Sequence, residues 1–333
     1  MAKRSIIPLF IPHAGCPCLC VFCNQKKITG MDTPVTAEQV AKEIESGLRW
    51  AGAGCQLAFY GGSFTALLPE TQEKLLGAAQ PFLKRGQVES IRVSTRPDAI
   101  DTVTLERLSA YGVTTVELGC QSMDDGVLER AERGHSRSDV IRACGCLRAD
   151  GFSVILQMMT GLPGDSGAES RETARQLIAL KPDGVRIYPT VVLRGTKLEA
   201  MMREGIYQPQ TVEAAVELCA ELYELFLRAG IPVIRVGLNP TEDLSGGEAV
   251  AGAYDPALGE RVLSRMYLRR AQKLLEQETP EGQAIFSVAP QRVSVMVGQR
   301  RENILALQRE FGLKSVKVLP EAGSLWEISL KKG

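Results

Sequence analysis

Seven apolar runs rich in β-branched residues recur along the first 240 residues, and each predicts a strand. They lie at 5–13, 56–62, 90–97, 115–122, 153–164, 184–193 and 231–239. The runs are nearly continuous instead of alternating with polar residues, a pattern typical of strands that are buried on both faces of a parallel sheet.

Segments with helical periodicity separate the strands. Thr36 and Gln39 have the spacing of a capping box at the start of the first helix, and Pro69 fits the first position of the second. This alternation predicts a parallel sheet with right-handed crossovers, either doubly wound or curled as a barrel. Six or seven units fall short of the eight that close a full barrel.

The pattern changes after about residue 240, where the glycine-rich stretch "NPTEDLSGGEAVAGAYDP" interrupts the alternation. A helix at 257–277 follows, and then a mixture of strand-like and helical segments up to the last residue. We therefore predict two domains, a large α/β domain at 1–240 and a small α+β extension at 241–333.

Composition fits an ordinary folded protein, with 44% hydrophobic and 23% charged residues. Lysine plus arginine equals aspartate plus glutamate at 39 each, so the molecule as a whole has no net charge that would attract a polyanion. A nucleic-acid partner would need a local basic face. The absence of a secretory leader pattern and of an apolar run of about 20 residues predicts a cytoplasmic protein without membrane contact.

Four of the nine cysteines fall between residues 16 and 23. Cys16, Cys20 and Cys23 form CxxxCxxC, which suits three thiolates around a 4Fe-4S cluster and leaves the fourth iron open for a ligand. Zinc is the competing metal, with a fourth ligand from Cys18 or elsewhere, and a structural or disulfide role is the third alternative. We interpret Cys18 as a bystander. Outside this loop we predict that the cysteines fill the core, namely Cys55, Cys120, Cys144, Cys146 and Cys219.

Polar residues lie where the predicted strands end, the edge at which parallel α/β sheets bind ligands. Glu117 and Gln157 are notable because they interrupt apolar runs, and a buried polar group usually has a partner. The other residues at these ends are Gly61 to Phe64, Ser94 to Asp98, Gln121, Ser122, Arg186, Tyr188 and Thr190. The sequence therefore predicts a polar site at one rim of the sheet.

Several motifs resemble a known family. CxxxCxxC with Phe22 before its last cysteine, followed by "GGSF" at 61–64, resembles the radical S-adenosylmethionine (SAM) enzymes. The runs "PHAGCPCLCVFCNQ", "IRVSTRPDAID", "VELGCQSMDDGVLERAERGH", "QMMTGLPG" and "VRIYPTVVLRGT" are similar to the catalytic subunit of Elongator and its shorter bacterial relatives, which lack the acetyltransferase domain. The resemblance covers roughly residues 5–240.

The resemblance implies a partial (β/α)6 TIM-like barrel of the radical SAM type. It implies a 4Fe-4S cluster held by Cys16, Cys20 and Cys23, with SAM on the fourth iron and cleaved by an electron to methionine and a 5'-deoxyadenosyl radical. By the same resemblance, SAM would be contacted by Phe22, Gly61, Gly62, Ser63, Phe64, Ser94, Arg96, Gln121, Arg133 and Gln157.

The implied substrate is a tRNA nucleoside, and the implied redox partner is an electron donor such as flavodoxin or ferredoxin. Alternatives are the same radical chemistry on a small molecule, or a non-catalytic, metal-bearing RNA-binding protein. Two departures from the family matter. The chain is too short for an acetyltransferase domain after the barrel, so carboxymethylation from acetyl-CoA is in doubt, and Asp255 stands where a histidine is expected.

Two further stretches bear on RNA. The segment 295–312 is weakly similar to a KH domain, in which a Gly-x-x-Gly loop clamps nucleic-acid backbone, but here Gly298 has no second glycine. Near the predicted rim, the side chains able to contact phosphates are Lys26, Lys27, Arg133 and His135. The alternative for His135 is a satisfied loop residue, that is, one whose hydrogen bonds are made within the protein.

Overall fold

A computed structural model describes residues 5–17, 20–24, 35–278 and 282–331. The predictions for Cys18, Lys26 and Lys27 lie outside these residues. The chain forms two compact units. We name them the parallel-sheet unit, residues 1–210 and 226–254, and the C-terminal unit, residues 211–225 and 255–333.

The parallel-sheet unit is built on seven strands that pair in the order of the sequence, each parallel to the next. The sheet curls into a half-barrel, which confirms the predicted partial TIM-like fold. Its strands are β1 (Ile6–Phe10), β2 (Cys55–Tyr60), β3 (Val88–Thr95), β4 (Val113–Gln121), β5 (Ser153–Thr160), β6 (Gly184–Pro189) and β8 (Val233–Val236).

The run at 184–193 is two strands. It breaks after Pro189, and β7 (Val191–Leu193) leaves the main sheet to pair antiparallel with β9 (Ala249–Gly252). Proline has no N–H for a sheet hydrogen bond, which suits it to the end of a strand.

Helices connect the parallel strands, and their starts match the sequence signals. Thr36 and Gln39 form the predicted capping box, and Pro69 occupies the first turn of its helix. The helices of this unit are α1 (Ala37–Ala51), α2 (Pro69–Lys84), α3 (Thr102–Ala110), α4 (Asp125–Arg130), α5 (Arg137–Ala149), α6 (Gly167–Ala179) and α7 (Lys197–Arg203); α8 (Val212–Arg228) runs across the division between the two units.

The strands carry two kinds of side chain. Apolar residues such as Leu57, Leu118 and Leu156 are fully buried and form the core. Side chains at alternating positions of a strand point to opposite faces, so Arg92, Glu117 and Gln157 share the other face of the sheet. That face is the one that carries the candidate site.

The C-terminal unit contains a three-stranded sheet with its own apolar core around Tyr267, Phe286 and Leu307. Strand β10 (Gln283–Val288) is central, parallel to β11 (Ser315–Pro320) and antiparallel to β12 (Ile328–Lys331). Its helices are α9 (Leu258–Glu278), α10 (Val293–Val297) and α11 (Glu302–Phe311). In neither unit does a helix within the described ranges have the length and apolarity needed to cross a membrane.

Candidate active site

A cavity of about 300 Å³ lies on the polar face of the half-barrel, lined mainly by residues at the C-terminal ends of the parallel strands. This volume is within the range of pockets that hold small molecules and cofactors. The predicted polar rim is therefore the wall of a real cavity.

All three cysteines of the CxxxCxxC motif line this cavity. Cys20 is buried, and Cys16 and Cys23 are half-buried. The Arg133 guanidinium donates to Cys20 Sγ at 3.5 Å. By type, three thiols suit a metal cluster. Within the described ranges, however, neither these three cysteines nor any other three His, Cys, Asp or Glu side chains are grouped closely enough to hold a metal ion.

Backbone contacts fix the beginning of the cysteine loop against the turn after β2. The N–H of His13 donates to Gly61 O at 2.9 Å, and the N–H of Ser63 donates to Ala14 O at 2.8 Å. A Cβ on Gly62 would lie 2.5 Å from the carbonyl oxygens of Ile11 and Ala14. Only glycine permits so close an approach.

Most of the residues predicted to contact SAM line the same cavity. Ser63 and Phe64 are the exceptions, since both are fully buried behind the wall. Ser63 Oγ lies 3.1 Å from Thr95 Oγ1, and the Phe64 ring packs 4.9 Å from the Phe59 ring. The residues on the wall are Phe22, Gly61, Gly62, Ser94, Arg96, Gln121, Arg133 and Gln157.

The end of β4 is irregular where it meets the cavity. Its pairing with β5 shifts register between Gly119 and Gln121, and Gln121 has a φ of 67°, a conformation that is uncommon for a residue other than glycine. The Gln121 amide oxygen accepts from Gln157 Nε2 at 3.1 Å, so the polar residue within the apolar run of β5 has its partner. Such strain is concentrated at functional sites.

Glu117 is the centre of a buried charge network on the cavity wall. Its Oε1 accepts from Arg92 Nη1 at 2.6 Å, from Arg186 Nη2 at 2.9 Å and from the Tyr60 hydroxyl at 3.2 Å. Burial, followed by the charge of Glu117, raises the pKa of Tyr60, which therefore remains a protonated donor. Sequence reasoning singled out Glu117 but missed Tyr60 and Arg92 as its partners.

His135 is buried, and its Nε2 lies 3.1 Å from the Cys120 carbonyl oxygen. Burial, followed by the charge of Arg133, lowers the pKa of His135 to about 4, so the ring is neutral near pH 7. These properties argue against a phosphate contact. The prediction that the hydrogen-bonding groups of His135 are satisfied holds for Nε2 alone, because the buried Nδ1 has no hydrogen-bond partner in the described part of the chain.

Most cysteines outside the loop are buried as predicted. Burial raises the pKa of Cys144 to about 12, which makes its thiol unreactive. The prediction is wrong for Cys146, which is exposed, because two positions along α5 turn it away from the buried face that carries Cys144. The other cysteines predicted to fill the core are buried: Cys55, Cys120 and Cys219.

Comparisons with known proteins place this site in a family. The model of the Radical SAM superfamily matches residues 10–177, and that of the Radical_SAM C-terminal domain matches residues 182–268. An uncharacterised protein of Methanocaldococcus jannaschii is 32% identical over 220 residues, 65% of each chain. A tRNA uridine(34) acetyltransferase of Dehalococcoides mccartyi is 38% identical over 136 residues, and human Elongator complex protein 3 is 33% identical over 138 residues.

The matched part covers 40% of this chain in both of the last two alignments, but only 30% of the acetyltransferase and 25% of the human protein. Among solved structures, the archaeal Elp3 of Methanocaldococcus infernus has a TM-score of 0.62 at 24% identity, covering 80% of this chain and 63% of that one. Coproporphyrinogen III oxidase of Escherichia coli has a TM-score of 0.51 at 20% identity, with coverages of 68% and 54%. These structures share the fold of this chain. Because the superfamily model spans half of the sequence and includes the cysteine loop, the chain belongs to the Radical SAM superfamily of enzymes.

Proposed function

We propose that this chain is a radical SAM enzyme that modifies a nucleoside of tRNA. The observation that carries the proposal is that Cys16, Cys20 and Cys23 line a cavity that is also lined by most of the residues expected to bind SAM. The spacing of the three cysteines suits a 4Fe-4S cluster with one open iron. The backbone contacts between residues 11–14 and the turn after β2 also hold the start of the cysteine loop at this cavity.

When bound, the cluster would supply the electron that cleaves SAM to methionine and a 5'-deoxyadenosyl radical. The protein binds, orients and shields these groups. Cys16, Cys20 and Cys23 would hold the cluster, and Arg133 would donate to Cys20 Sγ. The wall formed by Phe22, Gly62, Ser94, Gln121 and Gln157 would bind SAM and exclude water.

The substrate assignment is supported by relatives named tRNA uridine(34) acetyltransferase and Elongator complex protein 3. We propose tRNA as the substrate and a small electron carrier, flavodoxin or ferredoxin, as the reductant. The proposed location is the cytoplasm, where tRNA is available.

The test is SAM cleavage by protein that is purified without oxygen and reconstituted with iron and sulfide. With dithionite and SAM, the wild type should form 5'-deoxyadenosine, and Cys20→Ala should form none because it removes one of the three cluster ligands. Cys146→Ala is the matched control, since it removes an exposed cysteine that lies on α5. It should retain full activity.

A second arm adds bulk tRNA and measures its nucleosides by mass spectrometry. A new nucleoside that depends on SAM and on Cys20 supports tRNA as the substrate. Cleavage of SAM without any change in tRNA would contradict the substrate assignment alone. Absence of 5'-deoxyadenosine from iron-loaded wild type, with tRNA present, would contradict the radical chemistry.

A further inference from the structure

The charges of the network on the cavity wall do not balance. Two guanidiniums, those of Arg92 and Arg186, share the carboxylate of Glu117, and all three side chains are nearly buried, with exposed fractions of 13%, 12% and 5%. Arg235 is not part of this network, because its guanidinium donates to the carbonyl oxygens of Gly237 and Leu238 and does not line the cavity. Buried charges without compensation are costly, so a surplus cation inside a cavity indicates a missing anion.

The surplus positive charge of the network lies on Arg186. Arg92 makes the shorter contact with Glu117, at 2.6 Å against 2.9 Å, and Gln56 Oε1 holds Arg92 in place at 2.8 Å from its Nε. The remaining partners of Arg186 are neutral, since its Nη1 donates to the Tyr188 hydroxyl at 3.1 Å and its Nη2 to the Tyr60 hydroxyl at 3.0 Å. Among the described residues, no second carboxylate lies within ion-pair distance of Arg186.

Arg186 is also placed to meet a ligand. Arg186, Tyr60, Glu117 and Tyr188 line the cavity, whereas Arg92 does not. The buried Nε of Arg186 has no hydrogen-bond acceptor in the described part of the chain. Burial alone would lower the pKa of Arg186, but Tyr188, Glu117 and Tyr60 raise it, so the side chain stays charged at every accessible pH.

We propose that Arg186, supported by Tyr60 and Tyr188, binds a monoanionic oxygen group of the substrate, a phosphodiester or a carboxylate. A guanidinium suits either group because its planar donors match two oxygens at once. The surplus of one charge favours a monoanion over a phosphate monoester, which would place two negative charges beside Glu117. This inference rests on the proposed function, since it assigns part of the same cavity to the substrate.

The test measures binding to the reconstituted full-length protein by calorimetry. SAM is present at saturation throughout, so that its own carboxylate occupies its own subsite. The probes are the dinucleotide UpU, which has one phosphodiester, acetate, which has a carboxylate, and uridine, which has neither. Arg186→Gln removes the charge, Arg186→Lys keeps it, and Arg175→Gln is the matched control because Arg175 is exposed on α6.

Arg186→Gln should weaken binding of the preferred anion about 10- to 100-fold, the usual value of a charge-assisted contact. Arg186→Lys should recover part of the loss, while Arg175→Gln and the binding of uridine should not change. The probe that shows this dependence, UpU or acetate, identifies the anion. Equal affinity of wild type and Arg186→Gln for both anions, or no anion binding by folded wild type, would overturn the inference.

The two proposals fail separately. Arg186-dependent anion binding in a protein that never cleaves SAM would refute the proposed function and leave the anion site standing. If the protein cleaves SAM and its affinity for anions is the same with and without the Arg186 guanidinium, only the anion site is refuted.

Discussion

Both units pair arginine with glutamate, but in opposite environments. In the parallel-sheet unit, Glu117 meets Arg92 and Arg186 inside the cavity wall, almost without solvent. In the C-terminal unit, Glu213 meets Arg261 at 3.2 Å with three quarters of its own side chain exposed. The same chemical pair is therefore surrounded by protein in one unit and by water in the other.

The difference teaches where charge matters in this chain. Water compensates a broken exposed pair and screens an intact one, so such pairs contribute little to stability. A buried pair has no such substitute, and the loss of one member leaves its partner uncompensated. Breaking the network around Glu117 should therefore destabilise its unit far more than breaking an exposed pair destabilises the other.

The largest effect is expected for Glu117→Gln. It leaves two buried guanidiniums without a carboxylate, and neither can lose its proton. We expect the free energy of unfolding to fall by about 3–5 kcal/mol, measured by urea denaturation followed by circular dichroism. A loss as small as that of an exposed pair would show that water enters the network and would end the contrast between the units.

A smaller effect, dependent on pH, is expected from His135. Its pKa of about 4 in the folded protein lies below the ordinary 6.5, so the unfolded chain binds a proton first as the pH falls. The contribution of His135 is therefore fully present above pH 6.5 and is lost on acidification towards pH 4. Between pH 7 and pH 5 the free energy of unfolding should fall by about 2 kcal/mol through this residue. His135→Gln should not show this part of the decrease.

Asp165 provides a control of opposite sign. Burial raises the pKa of Asp165 to about 6, above its ordinary 3.8, so the folded protein binds a proton first and stability falls as the pH rises through this range. Asp165→Asn should therefore make the acid destabilisation steeper than in the wild type, while His135→Gln makes it shallower. If the free energy of unfolding changed with pH in the same way in the wild type and in His135→Gln, the result would contradict the burial of a neutral imidazole.

The smallest effect is expected for Glu213→Gln. Arg261 keeps its second partner, Asp255, at 2.7 Å, and the lost carboxylate is exposed to solvent. The urea midpoint should stay within experimental error of the wild type at both low and high salt. A clear shift would mean that the exposed pairs of the C-terminal unit act as a network and not singly.

The apolar pattern predicts the parallel strands and a polar site where they end, and the family resemblance is what selects a partial barrel over a doubly wound sheet. These features are local, because each apolar run and each cap can be recognised within a few residues. The three cysteines of the loop were found for the same reason. The run at 184–193 predicts a single strand because its apolar pattern continues through Pro189, whereas the structure has one strand up to Pro189 and a second one, in another sheet, from Val191.

The charge network was missed because its members are far apart in the sequence. Glu117 lies 25 residues from Arg92 and 69 from Arg186, and their meeting depends on the pairing register of several strands. Register shifts occur after Ile91 and near Gln121, and nothing in the apolar pattern marks them. Cys146 was misplaced because a helix with mixed residues does not reveal which side faces the core.

The contact between Gly62 and the loop before the cysteines is made of backbone on both sides, with the carbonyl oxygens of Ile11 and Ala14 facing a residue that has no side chain. Such a contact does not depend on which side chains residues 11–14 carry. The position of this segment is therefore set by main chain alone, and any side chain at residue 62 would force the two stretches of backbone apart.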